Sequence, residues 1–276
     1  MRENGEDVSE KMGVKDGREA GMEEQTGIMR LLHRFGWLRT RDLASLSSGA
    51  ASKTPPKGGP MLQPPIASPV DIRRIQRHLS KLRERRMVLM TQAPNGSWIY
   101  ALSEKGARAL QGFGLPASTG KDMLRRYHAA FFLHRNVANE VAISAMLQGF
   151  RVSTEREIAQ GRWLGGADGV MGKKPDVVLK SGNDVWFVEV ERSHRNRKDY
   201  DHLMRFLLQI WRDTRLGEAV DIDGTHRLRQ VIFICTTGFE KKLSQDLFSK
   251  GWKLDELRSR VRFETSLYSF KAIAFY

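Results

Sequence analysis

The sequence predicts an α/β chain, α+β overall, built in two parts: three helices and a hairpin, then elements in the order α-β-β-β-α-β. Three observations carry this. Apolar residues recur at helical spacing as far as Leu82, and short β-type runs then bracket the turn Pro94-Asn95-Gly96. Gly112, Gly114, Pro116 and Gly120 interrupt the pattern near mid-chain. Beyond them, a long apolar-rich helical stretch leads into runs rich in Val, Ile, Phe and Trp. A length of 276 residues allows two ordinary domains.

Residues 1–25 are polar, contain glycine and lack periodicity, so a disordered acidic tail is expected. From Thr26, a helix carries Ile28, Leu31, Leu32 and Phe35 on one face and stops at Gly36. Thr40 caps a second short helix with Leu43 and Leu46 inward. Residues 47–68 fill with Ser, Gly and Pro and read as a flexible insertion. The third helix has the clearest start, with Ser68 as N-cap, Pro69 at the first helical position and Asp71 in the first turn. Its buried stripe is Ile72, Ile75, Leu79 and Leu82, and Arg73, Arg74, Arg77, His78, Lys81 and Arg83 make the other face cationic. Strands at 87–91 and 97–102 and a helix at 103–110 complete the first domain, 26–111, and 112–123 is a linker.

The second domain, 124–276, opens with an amphipathic helix over 124–149, interrupted near Asn136, and a strand at 150–153. Strands at 176–180 and 185–191 flank the turn Ser181-Gly182-Asn183-Asp184. A helix with Tyr200, Leu203, Phe206, Leu207 and Ile210 follows, then a buried strand at 231–235 and a helix near 241–250.

Lys plus Arg number 46 against 32 Asp plus Glu, a formal charge of +14. The first 25 residues hold eight acids and four bases, so the remainder carries +18. A fold has no need of that surplus, and a polyanionic partner explains it. The single Cys235 excludes an internal disulfide and a multi-cysteine zinc site, fits a reducing compartment, and reads as core filler. The acidic N-terminus is unlike a signal peptide, and the apolar runs Ala129–Leu133 and Val231–Cys235 are too short to span a bilayer. A cytoplasmic protein without a membrane partner is therefore expected. No glycine-rich loop ending in Lys-Ser or Lys-Thr and no serine elbow is present.

Acids stand where chemistry could use them. Asp176 follows Pro175 at the start of one strand, and Glu189 and Glu191 close the next. The two-residue period of a strand puts both glutamates on one face, opposite Val188 and Val190. Two ionised carboxylates side by side need a metal ion, a basic partner or a proton. Asp176 would complete an oxygen cluster suited to Mg²⁺ or Mn²⁺. Glu140 and His134 on the long helix, and Glu155 and Glu157 after the first strand, are further candidates for this cluster.

Three helices and a hairpin with the basic helix third resemble the winged helix-turn-helix, which implies that Arg73, Arg74, Arg77, His78 and Lys81 meet double-stranded DNA in the major groove. Pro175-Asp176, the hairpin and Glu189-Val190-Glu191 on the α-β-β-β-α-β frame resemble the PD-(D/E)xK nucleases, with Asp176, Glu189 and Glu191 as catalytic metal ligands. Together the two halves resemble the replication-relaxation family of plasmid and integrative-element proteins, over most of residues 26–236. That resemblance implies a nicking, relaxase-like endonuclease, single-stranded DNA at a transfer origin as a further substrate, and other relaxosome proteins as partners. The PD-(D/E)xK pattern has lysine where Glu191 stands, so either Lys198 or Lys174 supplies its charge from another site, or a cluster of three acids holds the metal more tightly and leaves water activation to the ion. Arg195 and Arg197, in the basic run beside the acids, are placed to hold phosphates. None of the seven histidines lies one residue from another, which removes the histidine-bound metal of the tyrosine-dependent relaxases. The alternative is an accessory protein or regulator that keeps the nuclease-like fold and only binds DNA.

Overall fold

The computed structural model describes residues 17–48, 51–125, 129–191 and 197–266. The chain starts with helix α1 (Gly17–Phe35), strand β1 (Leu38–Arg39), α2 (Thr40–Ser47) and α3 (Pro69–Glu84). Helix α1 begins at Gly17, nine residues before the expected start, so residues 17–25 are helical rather than tail. Its added turns are held from outside: Glu24 pairs with Arg74 and His78 of α3, and Arg85 donates to Gln25. Gly36, at a φ of 85° that suits glycine, ends the helix. At α3 the Ser68 side chain accepts the Asp71 N–H, and Pro69 follows the cap as expected. Strands β2 (Val88–Gln92) and β3 (Trp98–Leu102) form the hairpin, and β1 pairs with β3 to give a three-stranded antiparallel sheet.

Helix α4 (Glu104–Gly112) is capped by Ser103, and α5 (Lys121–Arg125) and α6 (Ala129–Leu147) follow. Helix α6 runs through Asn136 without a break. Every residue from 136 to 145 is buried, because α2 lies on one side and β4 (Arg151–Ser153) and the sheet lie on the other. A helix covered on all sides has no reason to be amphipathic, and the expected polar face is absent there.

The second sheet then assembles around α7 (Glu155–Ala159), β5 (Val177–Ser181), β6 (Asp184–Glu191), α8 (Arg197–Ile210), β7 (Val220–Asp221), β8 (Arg227–Cys235), α9 (Thr237–Ser249), α10 (Leu254–Arg260) and β9 (Val261–Glu264). The described strand order is β4-β5-β6-β8-β7, with β9 on β8. Strand β5 runs antiparallel to both β4 and β6, whereas β6, β8 and β9 run parallel. Alternate residues of β6 divide the core. Trp186, Val188 and Val190 join the α6 side, and Val185 and Phe187 join α8 and α9.

The two expected domains share an apolar core. One hydrophobic cluster contains Ile28 and Leu79 from the first half together with Val141 and Val188 from the second. The Pro-rich stretch, expected to be flexible, is a strap across α6 and the sheet. Gln63 N donates to Ser144 Oγ, Met61 N to Gln148 Oε1 and Arg262 to the Pro60 carbonyl, while Leu62 is buried. Arg39 crosses the junction as well, donating to Asp42 and to Glu140 of α6 with all three side chains buried. Among the described residues no helix is long and apolar enough to cross a membrane.

Candidate acid centre

Strand β5 ends its ladder at Val177, which pairs with Val188, so Asp176 is the first residue beyond it. The Asp176 N–H still donates to the Val188 carbonyl at 3.0 Å. Its side chain turns back and accepts the Val190 N–H at 2.8 Å, a donor that β5 no longer reaches. The other carboxylate oxygen meets His134 Nε2 at 3.0 Å. Burial works against charge on both groups, yet each stabilises the other. His134 is raised to about 9, and Asp176 is held below the usual carboxylate range by His134, by the Val190 N–H and by Lys173. The pair is therefore ionised at neutral pH.

Glu189 and Glu191 lie on the β6 face of Phe187, opposite Phe233 and Cys235 of β8 in the parallel ladder. Both are buried. A basic partner meets Glu189: Lys173 Nζ donates to its Oε2 at 2.7 Å. Lys173 is turned inward by a tight reversal in which Val170 and Lys173 exchange backbone hydrogen bonds around Met171 and Gly172, both at positive φ. Lys174, the neighbour considered from the sequence, is exposed. Lys198 is also exposed, on the first turn of α8. Neither replaces Lys173, which sequence reasoning passed over because nothing local distinguishes the two adjacent lysines.

The other acids are committed elsewhere. Glu140 belongs to the Arg39 junction, Glu155 forms two hydrogen bonds with Arg135, and Glu157 caps α7 and pairs with Arg34. Among the described residues no three His, Cys, Asp or Glu side chains gather closely enough to hold a metal ion. The donors at the sheet end are nonetheless all carboxylates, the type that suits a hard divalent cation, and Asp176 and Glu189 stand on adjacent strands. Cys235 is pushed up to about 12 by burial, Glu240 and Glu191, and the Tyr200 phenol is raised by burial and by its hydrogen bond to Asp246.

The cationic face of α3 is narrower than its sequence suggests. Arg73, Arg77 and Lys81 are exposed along one shallow concavity with Gln76 and Ser80. Arg74 is instead held by Glu24, Asp71 and the Ser47 carbonyl, and His78 by Glu24. Arg197 is exposed at the start of α8, whereas Arg195 lies outside the described residues.

A family model described as Replication-relaxation matches residues 65–213, more than half of the 276-residue chain. The chain belongs to the replication-relaxation family. The match runs from the end of the strap into the loop after α8, so α3, the hairpin, His134, Lys173, Asp176, Glu189 and Glu191 of this replication-relaxation protein all lie within it. Membership ties the chain to the processing of replicating or mobile-element DNA. Neither the search of curated proteins nor that of solved structures returned a match.

Proposed function

We propose that this replication-relaxation protein is a DNA-binding, divalent-metal-dependent endonuclease that nicks plasmid or mobile-element DNA in the manner of a relaxase. The first half supports a winged helix-turn-helix reading: α3 carries the exposed Arg73, Arg77 and Lys81, and β1 completes the hairpin sheet. The order α6, β4, β5, β6, α8, β8, with the short α7 and β7 intervening, supports the PD-(D/E)xK reading of the second half.

The observation that carries the catalytic reading is the 2.7 Å contact between Lys173 and Glu189. It sets a buried ammonium beside the acids and so meets the requirement that Glu191 leaves open in the strand motif. In this reading Asp176, Glu189 and Glu191, which do not close into a three-ligand cluster among the described residues, would hold Mg²⁺ or Mn²⁺, and the ion would supply an acidified water and charge neutralisation at phosphorus. Lys173 pairs with Glu189 and would add positive charge where the phosphate would lie. His134 fixes the orientation of Asp176, and Arg197 takes flanking phosphates. Exchanging Glu189 for glutamine should stop the nicking of supercoiled plasmid and spare DNA binding. Nicking that persisted at the parental rate would reject the assignment.

A second reading, a DNA-binding accessory protein without catalysis, is favoured by the engagement of Asp176 by His134 and of Glu189 by Lys173. Under it, alanine at Arg73 and Arg77 would abolish function, and the acid substitutions would be silent.

A further inference from the structure

An aromatic cavity is lined by residues that flank His134 on α6. It has a volume of about 370 Å³ and is lined by Trp37, Phe131, Phe132, Asp122, Arg135 and Glu155, among others. Trp37 and Phe132 are buried and stacked with ring centroids 5.3 Å apart, forming one apolar wall. Phe131, at the opening, is 73% exposed. The polar edge is the pair Arg135–Glu155, joined at 2.7 and 3.0 Å, so it presents donors and acceptors side by side.

The cavity's position connects it to the chemistry. Phe131, His134 and Arg135 stand three and four residues apart on α6 and therefore share one helix face. His134 is the residue that grips Asp176, and Glu155 lies near enough to reinforce the charge on its ring. The cavity and the acid centre therefore draw on neighbouring residues of the same helix.

We infer that this cavity is a subsite for one unpaired nucleobase of the DNA strand bound at the acid centre. The exposed Phe131 ring can meet the π-face that every base has, the buried Trp37–Phe132 pair backs the cavity, and a guanidinium–carboxylate pair recognises a base edge, which offers both donors and acceptors. The volume is in the range of pockets that enclose small ligands. A base inside a duplex has its faces covered by its neighbours and cannot enter, so the subsite requires a locally single-stranded substrate. This inference rests on the endonuclease reading for the direction of the strand, but its test does not need cleavage.

The test uses the full chain, without metal and with chelator present, and fluorescence anisotropy of a labelled mixed-sequence single-stranded oligonucleotide and of its duplex. Phe131→Ala should weaken single-strand binding by about fivefold or more, the effect of losing one stacked base, and leave duplex binding within about twofold. Phe131→Tyr should restore it. Unchanged single-strand affinity in Phe131→Ala, or an equal loss for both DNA forms, would overturn the subsite. Because Phe131 is largely exposed, the substitution removes little of the core. Failure of the parent to cut DNA under metal would reject the nuclease reading and leave this binding result standing.

Discussion

The Lys173 ammonium lies 2.7 Å from the Glu189 carboxylate with both side chains buried, three residues before Asp176 in the chain. Removing one partner of such a pair strands the other charge in the interior. Lys173→Met should therefore cost about 3–5 kcal/mol in urea unfolding. Adding Glu189→Gln to Lys173→Met should recover part of that loss, since the uncompensated charge is gone. Equal stability of the parent and Lys173→Met would mean that the pair is solvated.

The His134–Asp176 pair sets a pH window. His134 binds its proton more tightly in the folded protein, at about 9 against 6.5 for a free imidazole, so its contribution is complete below 6.5 and is lost as pH rises through about 9. Asp176 is shifted downward, so its contribution is present above the normal carboxylate range and is lost as pH falls below it. Urea midpoints should be highest from mildly acidic pH to about 6.5 and decline toward 9. His134→Gln should flatten the alkaline decline, and parallel profiles for parent and variant would contradict the assignment.

Arg73, Arg77 and Lys81 face solvent on α3, whereas Arg74 is tied to Glu24 and Asp71. Arg77→Ala should reduce the slope of log affinity against log salt by about 1, the signature of one lost phosphate contact. Arg74→Ala should act mainly on thermal stability. Titrations of duplex DNA across a salt series distinguish the two, and an identical slope change would return Arg74 to the DNA face.

The strap is part of the core. Leu62→Ala should destabilise the protein by about 2 kcal/mol, the lower end for a buried leucine, because Leu62 is 8% exposed at the edge of the cluster. A flexible insertion would tolerate that change without cost, and differential scanning calorimetry reads the difference.

Local signals made much of the fold legible. Ser68, Pro69 and Asp71 act within one helical turn, and the alternation of Val188, Glu189, Val190 and Glu191 is a property of the strand itself. Both acted as their local chemistry implies. What stayed illegible depends on partners distant in sequence. The N-terminal extension of α1 needs Arg74 and His78, the strap needs Ser144 and Gln148, and the full burial of α6 needs the sheet beyond it. Lys173 and Lys174 are chemically identical until the turn at Met171 and Gly172 sends one inward. A Pro-rich composition signals only the absence of regular structure and says nothing of the contacts that residues 60–63 make with α6, Gln148 and β9.

The most direct test of the central claim is the Mg²⁺- or Mn²⁺-dependent nicking of supercoiled plasmid by the parent and by Asp176→Asn, a nearly isosteric change, with binding to the same plasmid measured in parallel. The account predicts that the parent nicks, that the variant is slower by about 100-fold or more, and that both bind equally. Equal cutting by both, or binding by both with cutting by neither, would contradict it.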